Sequence, residues 1–225
     1  MRIVLFGASG MVGQGALLAC LKAPDVTEIV VVGRQALGRY DDPRIRGVVA
    51  ADLKTFDASN DVFANLDACF FCIGVTSFGM SEPDYRAVTY DLTLHVAQQL
   101  LARNPGMSMV YVSGAGADSS ERGKTMWARV RGQTENALRR LPFGRVAIFR
   151  PAAIVPEDGI QSRTTSYRWL YRLLGPALAL VRRISPSSVL TTRVVGDAML
   201  NVVRRGAPTA ILAPADIYRL SLAQP

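Results

Sequence analysis

Histidine is almost absent from this chain: His95 is the only one among 225 residues. With so few imidazoles, a zinc site is not expected. Cysteine is scarce too, and the three thiols, Cys20, Cys69 and Cys72, are an odd number that builds no complete disulfide framework. Cys69 and Cys72 fall within one apolar run that reads as a strand, where residues three apart face opposite ways, so their C-x-x-C spacing favours neither a disulfide nor a metal pair. Buried thiols of this kind belong in a reducing compartment, and the expected location is the cytoplasm. No run of eighteen apolar residues is present, which excludes a simple transmembrane span. Residues 2–6 lead straight into a Gly-rich turn and read as a strand, not as a secretory h-region. Also missing are a Lys/Arg tract and an aromatic RNA-binding motif. The excess of 26 Lys+Arg over 18 Asp+Glu, a net charge of +8, therefore points to anionic ligands more than to specific nucleic-acid recognition.

What is present is an apolar content of 49%, enough for one substantial core and one domain over residues 1–225. Apolar runs at 3–6, 28–32, 47–50, 68–72, 109–112 and 145–149 suit strands buried on both faces of a parallel sheet. Between them, 11–22, 84–103 and 125–140 carry apolar positions at helical spacing, and Pro24 and Pro105 stand just past the first two as stop signals. Alternation of this kind predicts right-handed crossovers and an α/β, Rossmann-type doubly wound parallel sheet, with ligand space beyond the carboxyl ends of the strands. From Pro151 onward the pattern loosens, and 151–190 reads as a small C-terminal substrate-side or lid lobe.

The turn after the first run is Gly7-Ala8-Ser9-Gly10-Met11-Val12-Gly13, between a strand and the helix it opens. That context is what a dinucleotide turn requires. Gly7 permits the tight turn, Gly10 lets the backbone approach a pyrophosphate, and Gly13 allows helix to pack closely on sheet, while the helix N-terminal amides face negative charge. Ser9 adds a hydroxyl donor. About twenty residues on, where NAD-preferring sites carry an acid for the ribose hydroxyls, this chain has Arg34. A guanidinium there can grip a 2′-phosphate, so NADP(H) is the expected cofactor, with NAD(H) as the alternative. The plainer reading of Arg34 is a solvated loop residue beside Arg39.

Together with the Gly7 turn and Arg34, three further stretches carry a resemblance: Asp52-Leu53 after the third strand, Cys72-Ile73-Gly74-Val75 after the fourth, and Val112-Ser113-Gly114-Ala115-Gly116-Ala117 after the fifth. The helix Arg129-Val130-Arg131-Gly132-Gln133-Thr134-Glu135 and Phe149-Arg150-Pro151 extend it over nearly the whole chain. The sequence resembles an atypical short-chain dehydrogenase/reductase, of the subgroup that includes the Tat-interacting metastasis suppressor and its bacterial relatives. The resemblance implies that Asp52 binds the adenine amino group beside Leu53. It also implies that Gly74 lines the adenosine ribose, with Cys72 and Ile73 before it among the cofactor-binding residues, and that Pro151 through Ile154, with Pro151, Ala152 and Ile154 in contact, border the nicotinamide.

In that superfamily a Ser after the fifth strand works with a Tyr and a Lys four residues apart on the next helix. Ser113 matches the first, but Trp127 and Arg131 stand at the other two positions, giving W-x-x-x-R. An indole N–H donates but does not titrate usefully, so Trp127 cannot relay a proton. Arg131 can still hold ribose hydroxyls. Tyr85, Tyr111 and Tyr167 are candidate replacements for the phenol. The plainer alternatives are a core aromatic for Trp127 and a strand-end turn residue for Ser113.

Two apolar stretches, 167–174 and 178–184, broken by Gly175-Pro176, read as helices that roof the cleft or bury a homodimer contact. Peripheral membrane attachment is the weaker reading. Thr192 reads as the N-cap of a supporting helix over 194–204. Two functions fit: an NADP-dependent oxidoreductase or epimerase-like enzyme on a small carbonyl or hydroxyl substrate, or a non-catalytic NADPH-binding regulatory or assembly protein.

Overall fold

A computed structural model describes residues 1–36, 38, 41–160 and 187–223. Seven strands form one sheet in the order β3-β2-β1-β4-β5-β6-β9, every neighbouring pair parallel. They are β1 (Arg2–Phe6), β2 (Glu28–Gly33), β3 (Ile45–Val49), β4 (Ala68–Phe71), β5 (Ser108–Val112), β6 (Arg145–Phe149) and β9 (Ile211–Leu212). Among the described residues two further strands, β7 (Ala153–Val155) and β8 (Val189–Thr191), pair in parallel as a separate small sheet. This is the expected Rossmann-type architecture.

Alternation along the buried strands builds two cores. Ile3, Leu5, Ile29 and Val31 face one layer, and Val4, Phe6, Val30 and Val32 face the other. The first layer is closed by α1 (Met11–Lys22), α5 (Thr192–Arg205) and α6 (Pro214–Ser221). The second is closed by α3 (Leu92–Arg103) and α4 (Met126–Arg140). Cys69 packs in the second layer while Cys72 packs against the first, as the strand geometry requires; both are free thiols, as is Cys20. Burial pushes the Cys20 thiol up to about 12 and raises Cys69 and Cys72 as well, which disfavours the thiolate form of all three.

Several boundaries differ from the sequence reading, each for a physical reason. β3 begins at Ile45, not at 47, because it is an edge strand whose Arg46, Gly47 and Val49 are exposed, so no continuous apolar run marks it. The helix expected over 84–103 is three pieces: α2 (Glu82–Arg86), a widened π turn (Ala87–Asp91), and α3. Thr191, not Thr192, caps α5, its hydroxyl accepting from Val194 N at 3.2 Å. Thr192 opens the helix, and its Oγ1 instead accepts from Glu157 N at 3.0 Å. The stretches at 167–174 and 178–184, with Tyr167, lie outside the described residues, as does Arg39. Among the described residues, no helix is long and apolar enough to cross a membrane.

Candidate functional site

Between β1 and β4 the strand order reverses direction, and the loops leaving those two strands part to leave a cleft of about 1150 Å³. Gly7, Ala8, Ser9 and Gly10 form one wall, with Cys72, Ile73, Gly74 and Val75 opposite and Val31 to Arg34 with Asp52, Leu53 and Lys54 at one end.

The glycine turn is shaped by contacts that side chains would destroy. Gly7 has φ +82°, a left-handed conformation, and a Cβ there would lie 2.8 Å from the Cys72 carbonyl carbon. On Gly13 a Cβ would come within 2.1 Å of Gly7 O, so α1 reaches the turn only through a bare Cα. Gly10 N–H donates to Gly7 O at 2.9 Å, and the first helical bond runs from Gln14 N to Gly10 O at 2.9 Å. The amides of Met11, Val12 and Gly13 therefore precede the hydrogen-bonded ladder and form a positive helix end beside the turn. Met11 and Val12 contribute backbone here, and their half-buried side chains pack on the first core.

At the end of the cleft beyond β2 and β3, Arg34 and Lys54 are exposed cations, and neither pairs with a carboxylate among the described residues. Lys54 was not singled out in the sequence; its nearness to Arg34 follows from the pairing of β2 with β3, which sets the two strand ends side by side. Asp52 caps a short 3-10 turn, Oδ1 accepting from Lys54 N at 2.9 Å, and Leu53 is buried at the cleft edge.

The reaction-centre candidates gather where β5 and β6 end. Ser113 N donates to Phe149 O at 2.8 Å and Ala115 N to Pro151 O at 2.9 Å, so the two outgoing loops run side by side. Pro151 and Ile154 are buried there, with Ala152 exposed between them. Ser113 is also nearly buried, and its hydroxyl donates to Glu135 Oε1. Glu135, fully buried on α4, is in turn gripped by Arg150, whose Nε lies 3.1 Å from both carboxylate oxygens and whose Nη2 bonds Oε2. Arg150 Nη2 also donates to Ser119 Oγ at 2.6 Å. A hydroxyl has one proton, so Ser113 offers a ligand only its lone pairs. The sequence reading missed Glu135 and Arg150 as a pair, although Glu135 lies one helical turn past Arg131.

Trp127 is half-buried and belongs to neither core; its ring edge lies 3.1 Å from where a Cβ on Gly116 would stand. It therefore covers the loop after β5 and is not the core aromatic of the plainer reading. Of the three tyrosines considered, Tyr111 is buried in β5 and burial pushes its hydroxyl up to about 12. Tyr85, from α2, does reach the centre: Arg131 Nε donates to its hydroxyl at 3.0 Å. It is buried as well, at 1% exposure, which separates its proton from solvent.

No protein-family model matches the chain. It is 28% identical over 163 residues to the mitochondrial protein fmp52 of Emericella nidulans, spanning 69% of this chain and 68% of that one. To HTATIP2 of Rattus norvegicus it is 26% identical over 173 residues, or 76% and 68% of the two chains. Among solved structures, the Bordetella bronchiseptica enzyme WbmH, in complex with NAD+, superposes with a TM-score of 0.64 at 16% identity, covering 94% of this chain and 74% of that one. A UDP-glucuronic acid 4-epimerase from Bacillus cereus, in complex with NAD, gives 0.63 at 13% identity, covering 95% and 76%. These structural matches establish the fold. Over 69% and 76% of its length the chain is similar in sequence to Fmp52 and HTATIP2, and its fold is like that of enzymes solved with NAD bound.

Proposed function

We propose that this chain binds a nicotinamide dinucleotide, NADP(H) in preference to NAD(H), and acts as an oxidoreductase or epimerase-like enzyme on a small carbonyl or hydroxyl compound. The observation that carries the reading is the Gly7 turn. Its left-handed glycine, the clash awaiting any side chain at Gly13, and the unbonded amides opening α1 make a cradle whose chemistry suits a diphosphate. The residues present fit the cofactor along its length. Gly7, Ser9, Gly10, Met11, Val12 and Gly13 would hold the diphosphate, while Asp52, Leu53, Cys72, Ile73 and Gly74 would enclose the adenosine. Pro151, Ala152 and Ile154 would border the reacting end.

Arg34 supports the preference for NADP(H), because a guanidinium with no carboxylate partner among the described residues favours a 2′-phosphate over a hydroxyl pair. Lys54 adds a second cation at the same end of the cleft. A bound nicotinamide would supply hydride transfer. Arg131 holds a fixed positive charge beside that end, and Ser113 can accept a hydrogen bond from a substrate hydroxyl but not donate one while Glu135 takes its proton. Absence of a titrating phenol typically costs about 10²–10⁴ in rate, so turnover would be slow.

A second reading has an observation of its own. Ser113 is bound into the Glu135–Arg150 network and Trp127 covers the loop where a phenol would stand, so the cleft can hold a dinucleotide as a regulatory or assembly ligand without turnover. Purified protein mixed with NADPH and a panel of aldehydes, ketones and quinones separates the two. Steady loss of nicotinamide absorbance supports the enzyme, whereas tight binding with no oxidation across the panel supports the regulatory protein. Residence in the cytoplasm belongs to the proposal and rests on the three free thiols; cell fractionation tests it.

A further inference from the structure

Among the described residues, three half-buried arginines near the strand ends and helix starts are well supplied with acceptors. Arg44 donates to the carbonyls of Leu21, Ala23 and Val26 and to Asp42. Arg129 donates to Gly123 O, Lys124 O and Glu82, and Arg150 to Glu135 and Ser119. Arg131 differs. Only its Nε is used, at 3.0 Å from the Tyr85 hydroxyl oxygen, and neither Nη group has an acceptor among the described residues.

Those two Nη groups lie at the mouths of two neighbouring strands. Nη2 stands 3.8 Å from where a Cβ on Gly74 would be, after β4, and Nη1 stands 3.7 Å from the same point on Gly114, after β5. Glycine at both positions leaves no side chain between the guanidinium edge and the space beyond the strand ends. Neither Nη is among the buried polar atoms left without a partner, so both reach open space from which a ligand can accept their protons. The fork is therefore aimed, and Tyr85 is what aims it. Tyr85 is itself fixed, because α2 is tied to α4 by Arg129 Nη2 to Glu82 Oε2 at 2.6 Å and by Arg86 Nη1 to Gln133 Oε1 at 2.5 Å.

We propose that Tyr85 is a positioning residue: by accepting from Arg131 Nε it turns the two Nη groups toward the nicotinamide-side ribose of a bound dinucleotide. This deepens the reading given above and rests on it. Tyr85 then acts through Arg131 and donates no proton to substrate. Its effect falls on the nicotinamide half of the ligand and spares the adenosine half.

The test is calorimetric titration with two ligands, NADPH and adenosine 2′,5′-bisphosphate, which lacks the nicotinamide half. Tyr85→Phe is expected to weaken NADPH about 3- to 10-fold and Arg131→Gln about 10- to 100-fold, in keeping with loss of charge-assisted hydrogen bonds. Neither change should alter the bisphosphate affinity. In an Arg131→Lys background, where no Nε remains to be held, Tyr85→Phe should add nothing. Equal loss of both ligands, unchanged NADPH affinity in Arg131→Gln, or a full Tyr85→Phe effect persisting in Arg131→Lys would each overturn the proposal. Should Tyr85→Phe not fold, Arg131→Gln and Arg131→Lys decide on the same two ligands: loss of NADPH alone in both supports the aimed fork, and any other pattern overturns it. Failure of the wild-type protein to bind either ligand would instead overturn the dinucleotide reading itself.

Discussion

The two parts of the candidate site, the glycine turn with its cleft and the group of side chains where β5 and β6 end, are built from different materials. At the β1–β4 end the geometry is backbone: a positive-φ glycine, a helix start without side-chain obstruction, and strand-end carbonyls packed against bare Cα atoms. At the β5–β6 end it is side chain on side chain, with Ser113, Glu135 and Arg150 in one buried network and Arg131 held by Tyr85. A backbone cradle tolerates sequence change elsewhere as long as its glycines stay. A side-chain centre changes its chemistry with each replacement, so one fold can keep its backbone cradle while the residues at such a centre vary.

The sharpest way to break this contrast is at Gly13. Gly13→Ala forces a Cβ to within 2.1 Å of Gly7 O, and the overlap is with backbone that cannot swing away. We expect NADPH affinity to fall more than about 100-fold and stability by about 3 kcal/mol, at the upper end for overpacking, by calorimetry and thermal denaturation. Glu135→Gln attacks the other end. It leaves the Arg150 guanidinium without its carboxylate in a buried site, a change that costs about 3–5 kcal/mol of stability, yet adenosine 2′,5′-bisphosphate binding should survive in whatever fraction remains folded.

Arg34→Ala probes the adenosine end without touching the cradle. NADPH affinity should drop about 10- to 100-fold, with Lys54→Ala weaker by about 10-fold or less, while NADH affinity stays put. Equal losses for the two cofactors would remove the 2′-phosphate role.

The smallest effect concerns pH. The Asp118 carboxyl is held below the usual carboxylate range by the Ser120 hydroxyl, then by the Gly123 amide, and it shapes the loop that runs from β5 to α4. Because its folded value is depressed, this contribution is present above its ordinary value of 3.8 and is lost as pH falls through the lower folded value. Trp127, which rests on the same loop, should report it. Its emission should shift below about pH 4 in the wild type and at higher pH already be shifted in Asp118→Asn.

The legible parts of the sequence were those where local pattern and global fold agree. The run 145–149 coincides with β6, and the 11–22 periodicity with α1, because both are buried elements with no competing role. The Gly7 turn could be read because its function depends on what is missing from the side chains. Pairing of β7 with β8 could not, since it joins two three-residue segments more than thirty residues apart. Nor could the aim of Tyr85, which depends on how α2 docks on α4 ahead of the π turn at Ala87–Asp91. Ser113 was placed at the right strand end, but the direction of its proton is set by Glu135 on another element.

The central claim is that the cradle after β1 seats the diphosphate of an adenine dinucleotide, and titration calorimetry with NADPH, paired with a melting curve, tests it most directly. One ligand per chain, with stability rising by about 2.7 kcal/mol when the ligand is present at a hundred times its dissociation constant, is the predicted result. No heat and an unmoved melting point with both NADPH and NADH would contradict it.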